Sequence, residues 1–369
     1  MLRRLWALIV KEFLAIWKDG QSRSVLIGPP IVQLLLFGYA ATYDVNHISA
    51  AILNQDSGGA GRELVARFTG APAFGTLVYP ERVEDFAGLI DRRDVLLVVH
   101  VGPTFSADLA AGRPAEVQLI VDGRNSNTAL VVLGYANAIV DAFGRDWISA
   151  NGLPPPPGRI VARAWYNPNL EGRWFFIPGL MALLGLVVTI TLTALSVARE
   201  RELGTFEQLL VSPFRPFEIL VGKSVPALVI GLAEGALIAL LAVLWFEVPL
   251  KGSPFLLFLG LFVFVLAIVG MGLMISALSR TQQQAVFGTF LFTMPAVILS
   301  GFATPIENMP GWVQALTVVN PVRYFLVIVR GVFLQDMTAT AVVAQLWPMA
   351  LIAVSTLAAA GWLFRHRLQ

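Results

Sequence analysis

The chain has 369 residues, of which 56% are hydrophobic and 14% charged, with a mean hydropathy of +0.72. Soluble chains run at about 45–50% apolar and about 25% charged, so an ordinary cytosolic enzyme and a disordered chain are both excluded. There is no Cys, hence no disulfide, thiolate nucleophile or cysteine metal site. His47, His100 and His366 lie far apart and suggest no metal cluster, and a net charge of +2 makes no case for nucleic acid.

Residues 1–23 open with LRRLWALIVKEFLAIWKD. Lys11 and Glu12 interrupt the apolar run and no small-residue cleavage site follows, which argues against a signal peptide. Leu5, Leu8, Ile9, Leu14 and Ile16, with Trp6 and Trp17, predict an amphipathic helix lying in the cytoplasmic interface of the lipid bilayer. Six later stretches reach the roughly 20 apolar residues that cross a bilayer: 24–43, 174–198, 224–246, 254–278, 284–303 and 341–364. The fold class expected is an α-helical integral membrane protein with six transmembrane helices.

Between the first two stretches, residues 44–173 have a different character. They hold 14 acidic and 11 basic residues, against 10 and 15 in the rest of the chain. Short β-favouring runs at 49–53, 75–79, 94–101 and 115–121 alternate with helix-like segments at 58–70, 81–91 and 103–111. This predicts an α/β domain inserted between helices 1 and 2. A long helix over 126–150 follows, then Asn151-Gly152 and a stiff linker at Pro154–Pro157. No spacing of carboxylates, Ser or His suggests catalysis, so the domain reads as a scaffold or gate.

Lys and Arg in the short connections set orientation. With the N-terminus inside, twelve fall on the cytoplasmic side, from Arg3 and Arg4 to Arg365 and Arg367; Lys251, Arg323 and Arg330 fall outside. Both termini are then cytoplasmic and domain 44–173 extracytoplasmic. The apolar run 321–334 starts at Pro321 and contains Arg323 and Arg330, so residues 304–335 read as a re-entrant segment on the outer face. Pro295 is expected to kink the fifth helix before Ser300-Gly301, and with Pro305 these residues form a candidate outer gate.

The connection VARERELGTFEQLLVSPFRP (197–216) places Leu203, Phe206, Leu209 and Leu210 at helical spacing. Glu200, Arg201, Glu202, Glu207 and Gln208 take the other faces, and Pro213 ends the run. With acids matching bases, this helix suits a groove on a protein partner better than lipid headgroups. Gly222-Lys223-Ser224 has the ending of a phosphate-binding loop, but position 217 is Phe where the motif needs Gly, and no strand precedes it. In the third stretch Ala227, Gly231, Gly235 and Ala239 form a strip of small residues for close helix packing. Beside it stands Glu234, the one acid well inside a span, and such a group faces a protein interior or a wet cavity. Glu234, Gly231 and Gly235, with Thr189, Thr193 and Gln33, are candidates for the translocation path or a dimer interface. The threonines can equally bond their own helix backbone.

RERELGTFEQLLVSPFRP resembles the signature loop of permease subunits of the type-2 ABC exporter family. SRTQQQAVFGTFLFTMPAVILSGFATPIENMP (279–310) and NPVRYFLVIVRG (320–331) agree with it, in order, and the large domain after the first helix is similar to that of bacterial drug-exporter permeases. The resemblance implies a bacterial inner-membrane subunit that pairs with an identical or paralogous second permease chain and binds two ABC ATPase subunits. ATP and Mg would sit on that partner, with no cofactor on this chain; a periplasmic adaptor stays open. Segment 199–212 would be the coupling helix, with Arg199, Glu200, Arg201, Glu202, Leu203, Gly204, Thr205, Phe206, Glu207, Gln208 and Leu209 at the ATPase. The substrate expected is hydrophobic or amphipathic, drug-like or lipid-like. Two rivals remain: a proton-coupled secondary transporter using Glu234, and a non-transporting anchor with an outer binding domain.

Overall fold

The structure, a computed structural model, describes residues 2–40, 47–152, 165–168, 171–205 and 216–367. The chain divides into two compact units, Met1–Ala41 with Trp165–Gln369, and Thr42–Ala164.

The smaller unit is a four-stranded sheet flanked by helices. Its strands are β1 (Ile48–Asn54), β2 (Phe74–Val78), β3 (Leu97–Val101) and β4 (Val117–Val121), in the order β2-β1-β3-β4. β1 runs parallel to β2 and β3, while β4 returns antiparallel to β3 with Val99 opposite Leu119. Parallel neighbours require crossover helices, and these are α3 (Gly59–Gly70) and α4 (Asp85–Asp91), followed by α5 (Phe105–Ala110) and α6 (Ser126–Ala150). Alternation splits the strands between two cores. Ile48, Ala50, Ile52, Leu97 and Val99 pack on Leu64 and Phe68 of α3 and on Val132 and Ala136 of α6. Ala51, Leu53 and Val98 face Phe86 of α4. A sheet buried on both faces by helices is the arrangement that parallel strands need.

The larger unit is helical. α1 (Leu2–Lys18) and α2 (Gly20–Ala40) precede the α/β insertion. After it come α7 (Gly172–Glu202), α8 (Pro216–Leu244), α9 (Pro254–Leu278), α10 (Gln282–Ile298), α11 (Gly311–Thr317), α12 (Pro321–Leu334) and α13 (Ala339–Arg367). α9 is central, packed on α7 and α13, with Phe264 stacked on Phe325 of α12 at 4.5 Å between ring centres.

Of the six predicted stretches, four are helices long and apolar enough to cross a membrane: α7, α8, α9 and α13, of 25 to 31 residues. The other two are shorter as apolar helices. α2 opens on the polar run Gly20–Ser24, and its apolar part is Pro30–Tyr39. α10 has 17 residues, about 25 Å of rise, and stops at Ile298 because Gly301 turns the chain at φ +84. α11 and α12 meet at 81°, and counted as one broken span they make a fifth crossing.

Candidate functional site

The predicted 199–212 helix is not one helix. Arg199, Glu200, Arg201 and Glu202 are the last turn of α7, and Gly204 ends it. Gly204 sits at φ +69, donating to the Arg201 carbonyl at 3.1 Å, while the Thr205 N–H donates to the Glu200 carbonyl at 2.9 Å. This is the glycine-terminated helix end in which a left-handed residue closes the last carbonyls. Leu203 lies 67% exposed beyond the turn, with Gly204 and Thr205 also exposed. Phe206, Glu207, Gln208, Leu209 and Leu210 fall outside the described residues.

Each charge in that last turn engages a different part of the helical unit. Arg199 pairs with Asp19, between α1 and α2, at 3.0 Å. Glu200 is buried and bonds Lys11 of α1 and Lys223 of α8, the latter at 2.8 Å. Arg201 donates to the Ala277 and Ser279 carbonyls at the end of α9, at 2.9 and 3.0 Å. Glu202 accepts the Gln282 N–H at the start of α10 at 2.7 Å, where a carboxylate meets a helix N-terminus.

Around Glu200 the charges close into a ring. Lys223, its side chain fully buried, donates to Glu12 of α1 at 3.1 Å and to the Ser196 carbonyl of α7 at 3.3 Å. Lys11 reaches Glu12 at 3.2 Å. Burial works against the Lys11 ammonium, but the Glu12 charge and the bond to Glu200 outweigh it and hold its pKa above the ordinary value. Gly222 leaves room for Leu8 of α1, and Ser224 donates to its own helix at Leu220. Gly222-Lys223-Ser224 thus seats α8 against α1. α7 is held to α9 just before the ring, where Ser276 accepts the Val197 and Ala198 N–H groups at 3.0 and 3.3 Å.

The small-residue strip serves packing within the chain. A Cβ at Gly231 would stand 2.6 Å from the Thr189 hydroxyl of α7, and one at Gly235 would stand 2.5 Å from Leu261 of α9. Ala227 and Ala239 are buried along the same strip. Thr193, fully buried against Gly272, donates to the Thr189 and Ile190 carbonyls of its own helix at 2.7 and 3.1 Å. Glu234 is 7% exposed, and among the described residues neither carboxylate oxygen has a hydrogen-bond partner; the same holds for the Thr189 hydroxyl. Gln33 is half-buried on α2, apart from this group in sequence.

At the other end of α10, Pro295 lies inside the helix and Ser300 donates to the Val297 carbonyl at 2.6 Å while accepting the Phe302 N–H at 3.2 Å. Ser300 and Gly301 therefore form a tight turn, and Pro305 leads into a single 3-10 turn, Ile306–Asn308. Asn320 closes two helix ends at once. Its amide donates to the Ala296 carbonyl of α10 at 2.7 Å and its oxygen accepts the Val322 N–H of α12 at 3.1 Å. Sequence reasoning missed this residue, though Asn-Pro at a helix start is a legible capping signal. It also missed Lys223 and Glu12 as partners, for which no local signal exists.

The sequence profile described as ABC-2 family transporter protein matches residues 24–362. Over 368 residues, spanning both proteins completely, the chain is 39% identical to the probable multidrug ABC transporter permease YbhR of Escherichia coli K12. It is 33% identical to the probable multidrug ABC transporter permease YbhS of the same organism, over 90% of this chain and 89% of that one. To the inner membrane transport permease YhhJ, again of Escherichia coli K12, it is 28% identical over 90% of this chain and 88% of the relative.

Proposed function

The chain belongs to the ABC-2 transporter family, and from that premise we propose that it is the membrane-spanning subunit of an ATP-driven exporter. The observation that carries this is similarity to a probable multidrug ABC transporter permease over 368 residues, 100% of each chain. Hydrolysis then belongs to two partner ATPase subunits, which hold ATP and Mg. Two permease chains, identical or paralogous, complete the pathway, with room for a periplasmic adaptor. The names of YbhR and YbhS support a drug-like or otherwise amphipathic substrate.

In this reading the protein crosses the inner membrane six times, with α2 and α10 as the shorter crossings and the α11–α12 pair dipping in from outside. The orientation rests on the cation bias and gains support from the fold. Glu202 meets the start of α10, Arg201 the end of α9, and Leu220 of α8 lies against Gly361 near the end of α13. One end of the helical unit thus gathers Lys11, Arg199, Arg201, Lys223 and Arg280, as a cytoplasmic face does. Both termini are then cytoplasmic and domain 44–173 lies outside.

The chain leaves α7 at the exposed Leu203, and the ATPase contact is assigned to the strip Leu203–Leu209 that follows. Arg199–Glu202 back it from within the helical unit. Substituting Phe206 and Leu209 by Ala should reduce recovery of the ATPase with the permease, or the hydrolysis it supports. A complex recovered in full with unchanged hydrolysis overturns the assignment.

A second reading rests on Glu234, whose buried carboxylate lacks a partner among the described residues. There it exchanges a proton during transport, and Glu234→Gln removes the pH dependence of transport. Unchanged transport and pH profile at equal expression exclude it.

A further inference from the structure

Three phenylalanines and one arginine meet where the start of α7, the turn after α10 and α12 come together. The Arg330 guanidinium of α12 lies 3.8 Å from the ring centre of Phe175 and 5.7 Å from that of Phe302. Both fall within the roughly 6 Å over which an aromatic face attracts a cation. Phe176 closes the group, edge-on to both rings, 5.5 Å from Phe175 and 6.0 Å from Phe302. Two glycines shape it. Gly301, at φ +84, turns the chain so that Phe302 faces α7, and Gly179 leaves the space that ring enters. A Cβ at Gly179 would stand 2.6 Å from Phe302 and 3.6 Å from the guanidinium. Phe302 is buried, while Phe175, Phe176 and Arg330 are half-buried.

Packing of α12 does not call for this arrangement, since Val322, Phe325, Val329 and Val332 already seat that helix in the apolar core. A cation within an apolar helix is costly, and where one is kept it marks a path for ions or substrates. Rings set around a cation are the means by which proteins recognise quaternary ammonium groups. Here the chain supplies the cation itself, on a long side chain whose head group can also reach water. We propose that Phe175, Phe176 and Phe302 form a recognition box for organic cations, which Arg330 fills until a ligand displaces it. The ligand is the ammonium, or a similarly diffuse cation, of an amphipathic molecule. Its origin rests on the exporter reading, in which the box lies at the outer end of the helices and holds the cation as it leaves.

The test uses the full chain in nanodiscs, with empty nanodiscs as the blank. The probes are benzyltrimethylammonium and neopentylbenzene, its uncharged carbon isostere, and equilibrium dialysis reads both affinities. Arg330→Ala empties the box and should tighten binding of the ammonium at least about tenfold more than binding of the isostere. Adding Phe175→Leu, which keeps bulk but removes the ring face, should abolish that difference. Where Arg330→Ala fails to fold, Arg330→Gln removes the charge with less loss of volume and is read in the same way. A folded variant in which ammonium and isostere gain alike overturns the box and leaves only an apolar cavity. An unchanged ammonium affinity, or a charge-selective gain that survives Phe175→Leu, overturns it as well. No ATPase enters these measurements. A native chain that retains no ATPase on purification overturns the exporter reading and leaves the ammonium affinities to stand, whereas a missing gain in a chain that does retain it overturns the box alone.

Discussion

Asp56 in the α/β unit and Glu200 in the helical unit are both buried carboxylates, yet they are satisfied in opposite ways. Asp56 accepts the Gly61 N–H at 3.1 Å, the Ser106 N–H at 3.2 Å and the Ser106 hydroxyl, from the first turns of α3 and α5, which follow β1 and β3. Backbone donors at helix starts hold it, and no cation is needed. Glu200 has two lysines instead, one from α1 and one from α8. A sheet with crossover helices brings helix N-termini together beside its strand ends. A helix bundle has spent its backbone donors internally, so a buried charge there must find another charge. Glu234, with neither solution among the described residues, marks how far the second unit departs from the first.

The sharpest way to break this contrast is to remove one member of each cluster. Lys223→Met leaves Glu12 and Glu200 facing each other with only Lys11, and should destabilise the helical unit by about 3–5 kcal/mol. Thermal unfolding in detergent measures it, and replacing Glu200 by Gln as well should recover part of the loss. Asp56→Ala removes three acceptor bonds from donors that remain buried, for an expected loss of about 2–3 kcal/mol, read by proteolysis of the 54–61 loop in the full chain.

Acid sharpens the same comparison. Burial opposes ionisation of Asp56, but bonds from Ser106, Gly58 and Gly61 outweigh it and hold its carboxyl below the ordinary range. Its stabilisation is therefore complete above the unfolded value of about 3.9 and is lost as pH falls through the lower folded value. Proteolytic resistance of the native loop should drop in that acid window, whereas Asp56→Asn should show no step there.

Asn320→Ala tests a neutral bridge and should cost about 1–2 kcal/mol, because it uncaps both α10 and α12. The smallest effect is expected at Glu234→Gln. An amide of the same shape leaves the packing of Gly231 and Gly235 untouched, so the unfolding free energy should stay within about 1 kcal/mol of native. A large loss there would show that Glu234 has a structural partner.

Local pattern and long-range pairing separate what the sequence reveals from what it hides. The strands of the α/β unit lie within three residues of where alternation places them, and α6 matches its predicted span, because period and capping are local. Segment 199–212 is different. Periodicity shows that Leu203 and Glu200 can lie on a helix, but only Gly204 signals where that helix stops. The side chains of Arg199–Glu202 look solvated in sequence, since their partners stand at positions 11, 19, 223, 277 and 282. Likewise Gly222-Lys223-Ser224 can be dismissed as a nucleotide motif from spacing, yet its ion pair with Glu12, 211 residues away, has no sequence signature. The small-residue strip is legible as a packing surface; that α7 and α9 of the same chain fill it is not.

The double cap at Asn320 bears on how α10 and α12 can part. One amide closes the end of α10 and the beginning of α12. Swinging the amide away strands a carbonyl on one helix and an N–H on the other, each costing about 1–3 kcal/mol if it finds no water. Parting these helices therefore costs both bonds, and both are made by one side chain that carries no charge.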